Sequence, residues 1–150
     1  MSDAGDDLLS VRTLDAGYGD LQILDGVDLS VSDGEYVVVV GPNGAGKSTV
    51  MKSVFGLTTY MGGTITYEGE EIQGLKPEEI IREGIGYVPQ TNNIFPTLTV
   101  EENLEMGAYI LDSVPDERME AVYDRFPVLR ERNDQKAGTM SGGQRQMLAM

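Results

Sequence analysis

Apolar residues recur at mostly every second position over residues 8–14 and 24–31, which predicts two strands that each bury one face. The two runs read as antiparallel strands, and Ser32-Asp33-Gly34 supplies a turn out of the second. Residues 35–40, EYVVVV, are apolar without alternation, the pattern of a parallel strand buried on both faces. A helix is predicted over 47–57. Gly62-Gly63 opens a further strand at 64–67, closed by a turn at Glu68-Gly69-Glu70. Pro77 occupies a first helical position, Ile80 and Ile81 give that short helix an apolar side, and Gly84 ends it before a strand at 85–88. From Thr99 onward the period changes from two to that of a helix. Thr99 and Glu102 have capping-box spacing, and Val100, Leu104, Ala108 and Leu111 share one face. Pro115 starts another helix, whose stripe of Met119, Val122, Tyr123 and Phe126 is stopped by Pro127 and is assigned to core packing.

Between the apolar run at 35–40 and the helix at 47 lies Gly41-Pro42-Asn43-Gly44-Ala45-Gly46-Lys47-Ser48-Thr49. Strand, glycine-rich turn and helix in that order make a phosphate-binding loop. Gly41, Gly44 and Gly46 lack a Cβ, so the backbone can curl until successive N–H groups face phosphate oxygens, with the helix dipole behind them. Lys47 adds a mobile positive charge for the β- and γ-phosphates, and the Ser48 hydroxyl is placed to ligate the Mg²⁺ that bridges them. These residues predict a nucleoside triphosphate site.

Composition narrows the possibilities. The 150 residues are 40% hydrophobic, enough for a core of ordinary size, and contain no cysteine and no internal repeat. The apolar run at 36–40 is far too short to cross a bilayer, and the acidic N-terminus is unlike a secretory signal, so the expected location is cytoplasmic. Against 25 acidic residues stand 11 basic ones, a formal net charge of −14. That balance disfavours nucleic-acid backbone and anionic lipid as partners. Two readings of the acid excess stay open: adaptation of the surface to a salty cytoplasm, or an acidic stretch of a longer protein.

A second glycine-rich turn, Met140-Ser141-Gly142-Gly143-Gln144, leads into a helix-compatible run at 145–150. Ser141 can cap that helix, and two glycines let an anion approach its N-terminus closely. A phosphate loop followed about a hundred residues later by this sequence resembles the ATP-binding cassette family, whose signature is Leu-Ser-Gly-Gly-Gln. Met140 is a conservative departure from it.

The resemblance implies a P-loop NTPase of RecA-like α/β type, with N-terminal antiparallel strands and an inserted helical subdomain. The corresponding organisation is a disordered acidic tail at 1–7, a nucleotide-binding α/β core at 8–96 and a helical subdomain at 97–150. It further implies that Tyr18 stacks on adenine, that Thr49 contacts the α-phosphate, and that Gln90, ending Tyr87-Val88-Pro89-Gln90, serves Mg²⁺ and the attacking water. Asn43 and Ala45 belong to the nucleotide site as members of the loop. In the family two cassettes pair head to tail, so that Ser141, Gly142, Gly143 and Gln144 would close over ATP held by a second ATPase subunit. Lys47, Gln90 and Ser141 are the residues expected to act in hydrolysis. Membrane-spanning permease subunits, and through them a substrate-binding protein, are the implied partners, with the ATPase held at the cytoplasmic side of the membrane. For Ile94 and Phe95 two readings stay open: a groove that receives a helix of the permease, or packing back into the helical subdomain.

Residues 84–90, 98–104 and 138–150 look like the smaller ATPase subunit of branched-chain amino acid importers. The strand ending in Asp and Glu and the switch histidine that the family uses in hydrolysis are not found after the signature, and the chain has no histidine. The expectation is therefore a cassette incomplete at its C-terminus, with 37–40 and 85–88 partly uncovered. An importer ATPase is the leading function. The rivals are a soluble cassette ATPase acting on ribosomes or DNA, and an ATP-binding fragment without hydrolysis.

Overall fold

Strands β1 (Asp7–Tyr18) and β2 (Leu21–Ser32) form an antiparallel hairpin, and β3 (Thr59–Tyr67) pairs with the other edge of β1. A two-residue strand β4 (Glu70–Glu71) extends the sheet, giving the order β2-β1-β3-β4. The computed structural model from which this is read describes residues 7–109 and 114–150. The acidic tail predicted at 1–7 lies outside the described residues except for Asp7, and Leu111 of the helical stripe lies outside them too.

The imperfect alternation along β1 has a local cause. Val11 and Leu14, three residues apart, are both fully buried, because the register with β2 and β3 shifts between them. At this bulge Thr13 has φ 45°, and its N–H donates to the Asp28 carboxylate at 2.8 Å. The extra residue restores Leu14 to the core face. Val11, Leu14, Ala16, Leu24, Ile65 and Ile72 then pack with Val50 and Val54 of helix α1 (Lys47–Val54). The predicted extension of α1 to residue 57 fails because Phe55 closes the helix and Gly56 turns at φ 69°. Helix α2 (Pro77–Arg82) starts at Pro77 as the sequence predicts.

Two predicted strands do not form. Residues 35–40 and 85–88 belong to no strand, and Tyr36, Val38 and Val40 are 98%, 80% and 83% exposed. A parallel strand has no hydrogen bonds of its own and exists only between neighbours, and no described strand lies beside either run. The expected uncovering of the 37–40 segment is therefore observed, while its expected strand conformation is not.

In the helical part, α3 (Val100–Gly107), α4 (Asp116–Arg125), α5 (Pro127–Glu131) and α6 (Gly142–Ala149) surround Val100, Tyr123, Leu129, Ala137, Met140 and Leu148. The stripe Met119, Val122, Tyr123 and Phe126 packs in this core. The capping box of α3 is present: Glu102 N–H donates to Thr99 Oγ1 at 3.1 Å and Thr99 N–H to Glu102 Oε2 at 2.6 Å. That second bond holds the Glu102 carboxyl below the usual carboxylate range.

The chain divides into compact units Met1–Tyr87 and Val88–Met150. The sequence places the change at 96–97, but 88–96 is laced to the helices by its backbone. Phe95 N–H donates to Asn103 Oδ1 at 2.7 Å, Gly138 N–H to the Pro96 carbonyl at 2.9 Å and Ala137 N–H to the Leu98 carbonyl at 2.9 Å.

Candidate nucleotide and signature sites

In the phosphate loop, Gly44 and Gly46 have φ of 85° and 89°, the left-handed region. Gly46 is also the N-cap of α1, and a Cβ there would sit 2.9 Å from Leu24 Cδ2. The left-handed backbone is what demands glycine here, and the close approach to Leu24 adds crowding that the leucine tip would have to relieve. No side chain caps α1 and no acidic residue lies in its first turn, so the positive end of the helix is left to an outside anion. Lys47 leans back over the loop and donates from Nζ to the carbonyls of Gly41 (2.8 Å) and Pro42 (2.6 Å). An ammonium has three donors, so these two bonds position the charge and leave one N–H for a phosphate oxygen. Ser48 is exposed in the first turn of α1, while Thr49 is buried. A hydroxyl beside a triphosphate cradle is a hard oxygen donor that suits Mg²⁺. Loop curvature, the uncapped helix and Lys47 together fit a magnesium–nucleotide.

Tyr18 ends β1 and is 43% exposed, with Lys52 Nζ of α1 5.8 Å from its ring centroid. The hairpin thus delivers an aromatic face to the side of the helix that begins at the phosphate loop. Lys52 was not singled out by the sequence; its i+5 spacing from Lys47 carries no motif.

The signature turn lies in the helical unit. Met140 is buried in that unit's core, which explains why an apolar residue precedes Ser141. Ser141 caps α6 in a reciprocal box: Gln144 N–H donates to Ser141 Oγ at 3.3 Å, and Ser141 N–H to Gln144 Oε1 at 3.1 Å. Gly142 and Gly143 are exposed, have no positive φ, and would carry a Cβ with nothing within 4 Å. Among the described residues nothing requires glycine at either position. Glycine at both positions leaves the backbone of the first turn bare of side chains.

Gln90 is exposed in the loop that leads into the helices. Further along that loop, Ile94 packs against the helical core, as the second of the two readings has it, while Phe95 is 51% exposed. Phe95 is held by a residue the sequence reading missed. Asn103, nearly buried on α3, accepts from Phe95 N–H and donates to the Phe95 carbonyl at 3.0 Å and to the Thr99 carbonyl at 2.7 Å. Its signal was available: Asn103 is a polar residue three positions after Val100, on the apolar face.

Among the described residues no group of three or more His, Cys, Asp or Glu side chains could hold a metal ion, and no helix is long and apolar enough to cross a membrane.

The family model described as ABC transporter matches residues 24–150, which include both glycine-rich turns. A probable branched-chain amino acid transport ATP-binding protein, LivF of Archaeoglobus fulgidus, is 49% identical over 144 residues, covering 95% of this chain and 61% of the relative. The high-affinity branched-chain amino acid transport ATP-binding protein BraG of Pseudomonas aeruginosa is 44% identical over 144 residues, with 95% and 62% covered. Among solved structures, an ATP-binding cassette of an ABC transporter in its ADP conformation superimposes with a TM-score of 0.81 at 29% identity, over 95% of this chain and 62% of that one. The chain therefore spans about three-fifths of the length of the curated relatives it matches.

Proposed function

This chain belongs to the ABC transporter family, and on that premise we propose that the whole protein is the ATP-hydrolysing subunit of an importer for branched-chain amino acids. The substrate class follows the branched-chain amino acid transport named for the relatives LivF and BraG. ATP binds at Gly41, Asn43, Gly44, Ala45, Gly46, Lys47, Ser48 and Thr49, with the adenine against Tyr18. Ser48 would hold Mg²⁺, with Gln90 as the further ligand that the family resemblance implies, and the ion would supply neutralisation of charge on the β- and γ-phosphates. Lys47 and the first-turn N–H groups of α1 stabilise the same charge from the protein side.

The observation that carries the reading is the pair Gly142 and Gly143, at which an added Cβ would meet nothing among the described residues. A helix N-terminus with bare backbone, a capping serine and no Cβ wall suits the γ-phosphate of a nucleotide bound to a second subunit. ATP then closes a head-to-tail pair of ATPases, with Ser141 and Gln144 shaping the closing turn, and hydrolysis releases it. Permease subunits, reached through the surface around Phe95, hold the protein at the cytoplasmic face of the membrane and convert closure into transport.

The test is leucine uptake by cells whose import depends on the whole protein. Lys47→Ala is expected to abolish uptake while the protein still fractionates with membranes. Uptake that persists in the variant, or recovery of the native protein only in soluble or ribosomal fractions, would overturn the proposal.

A further inference from the structure

Asn93 lies in the loop after Gln90, outside any regular element. Its amide nitrogen donates to the Pro89 carbonyl at 3.3 Å and to Gln146 Oε1 of α6 at 3.1 Å. An amide NH₂ has two protons, so both bonds can be made together, and the Pro89 carbonyl, which can only accept, determines which end of the amide faces it. The Pro89 carbonyl belongs to the peptide unit that carries the Gln90 N–H. Gln146 follows Gly142 by four residues, on the same face of α6, and helical side chains lean toward the N-terminus. One side chain thus touches the backbone next to Gln90 and the helix face next to the signature turn. The bond to Gln146 joins residues 53 apart in sequence, so it is no local turn contact. Two residues on, Asn103 pins Phe95 to α3 through both its N–H and its carbonyl.

We propose that Asn93 is a positioning residue for nucleotide turnover, tying the loop that bears Gln90 to α6 so that this loop and the Ser141-Gly142-Gly143 turn move as one piece. A push on the exposed Phe95 side chain reaches α6 through this tie, because the loop is pinned at Asn103 on one side and at Gln146 on the other. As an exposed hydrogen bond between polar side chains it adds little to the stability of the helical core. Its effect is on where the signature turn stands. The inference rests on the ATPase function proposed above.

The test uses the whole protein with Asn93→Ala, Gln146→Ala, the double variant and the exchanged pair Asn93→Gln with Gln146→Asn. In Asn93→Ala, amide exchange in the first turns of α6 is expected to rise roughly threefold to tenfold, the worth of one hydrogen bond. ATP turnover falls by a similar factor in kcat with KM for ATP unchanged, and the double variant is no worse than either single one. Asn93→Asp, with the same shape but acceptors only, is expected to be at least as impaired. The exchanged pair recovers most of the loss. Unchanged exchange in α6 would overturn the proposal, as would single losses that multiply in the double variant, or a lower unfolding midpoint with kcat unaltered. Absence of Lys47-dependent ATP turnover in the wild type would instead remove the ATPase function, and the exchange measurement would still decide whether Asn93 holds α6.

Discussion

Helices α1 and α6 both begin at glycines, and they begin in opposite ways. At α1 the N-cap is Gly46 in the left-handed region, wedged against Leu24, with no side-chain cap. At α6 a serine caps the helix, a glutamine returns the bond, and the two glycines inside the first turn have ordinary backbone and open space. The first site is built by the chain's own packing, so its shape is present before any ligand arrives. The second is a self-capped helix whose glycines have nothing within contact distance among the described residues. Motif spelling makes the two look alike, while the cost of adding one methyl group separates them.

The comparison can be broken at several points. Lys47→Ala is expected to reduce ATP turnover by at least about a hundredfold, because the ammonium over the loop is a preorganised donor toward the phosphates. Nucleotide titration should show binding lost with it, and binding that survives would undo the account of the loop. Gly143→Ala should lower turnover by about tenfold or more through crowding of an approaching phosphate, yet raise stability by roughly 0.5–1 kcal/mol, since alanine is the better helix former. Gly46→Ala should do the reverse to stability, costing about 1–3 kcal/mol in strained backbone; denaturant unfolding of the two variants side by side reads the difference directly. If both alanines destabilise alike, the distinction between the two helices fails.

Ser141→Ala removes the α6 cap, at about 1 kcal/mol, and should slow turnover by roughly tenfold while nucleotide affinity stays near that of the native protein. Equal loss of binding and turnover would place Ser141 in the same subunit's site and not across the pair. The smallest effect is expected from salt. Among the described residues no Asp, Glu, Lys or Arg is buried, and the ion pairs are Arg12–Asp7, Arg130–Glu120 and Arg130–Asp124, few beside a net charge of −14. Screening by KCl should therefore raise the unfolding midpoint, and a midpoint indifferent to KCl would remove salt adaptation as the reason for the acid excess.

Elements whose cause is local were readable from residue order. The hairpin strands announce themselves by alternation within each run, and the Thr99–Glu102 box, the Pro77 and Pro115 helix starts and the Ser141 cap all depend on neighbours within a few positions. So did the phosphate loop, because glycine spacing and one lysine suffice to specify its chemistry. Residues 35–40 show the opposite case: EYVVVV has every intrinsic preference for a strand, yet a parallel strand is made by its neighbours, and none is described here. Long-range packing also decided that Val11 and Leu14 face the same way, that Asn103 grips Phe95, and that Asn93 reaches Gln146 across 53 residues. The chain's order carried its local geometry and its nucleotide chemistry. Which glycines sit against packed neighbours, and which stand in open space, emerged only when side chains distant in sequence were brought within contact distance.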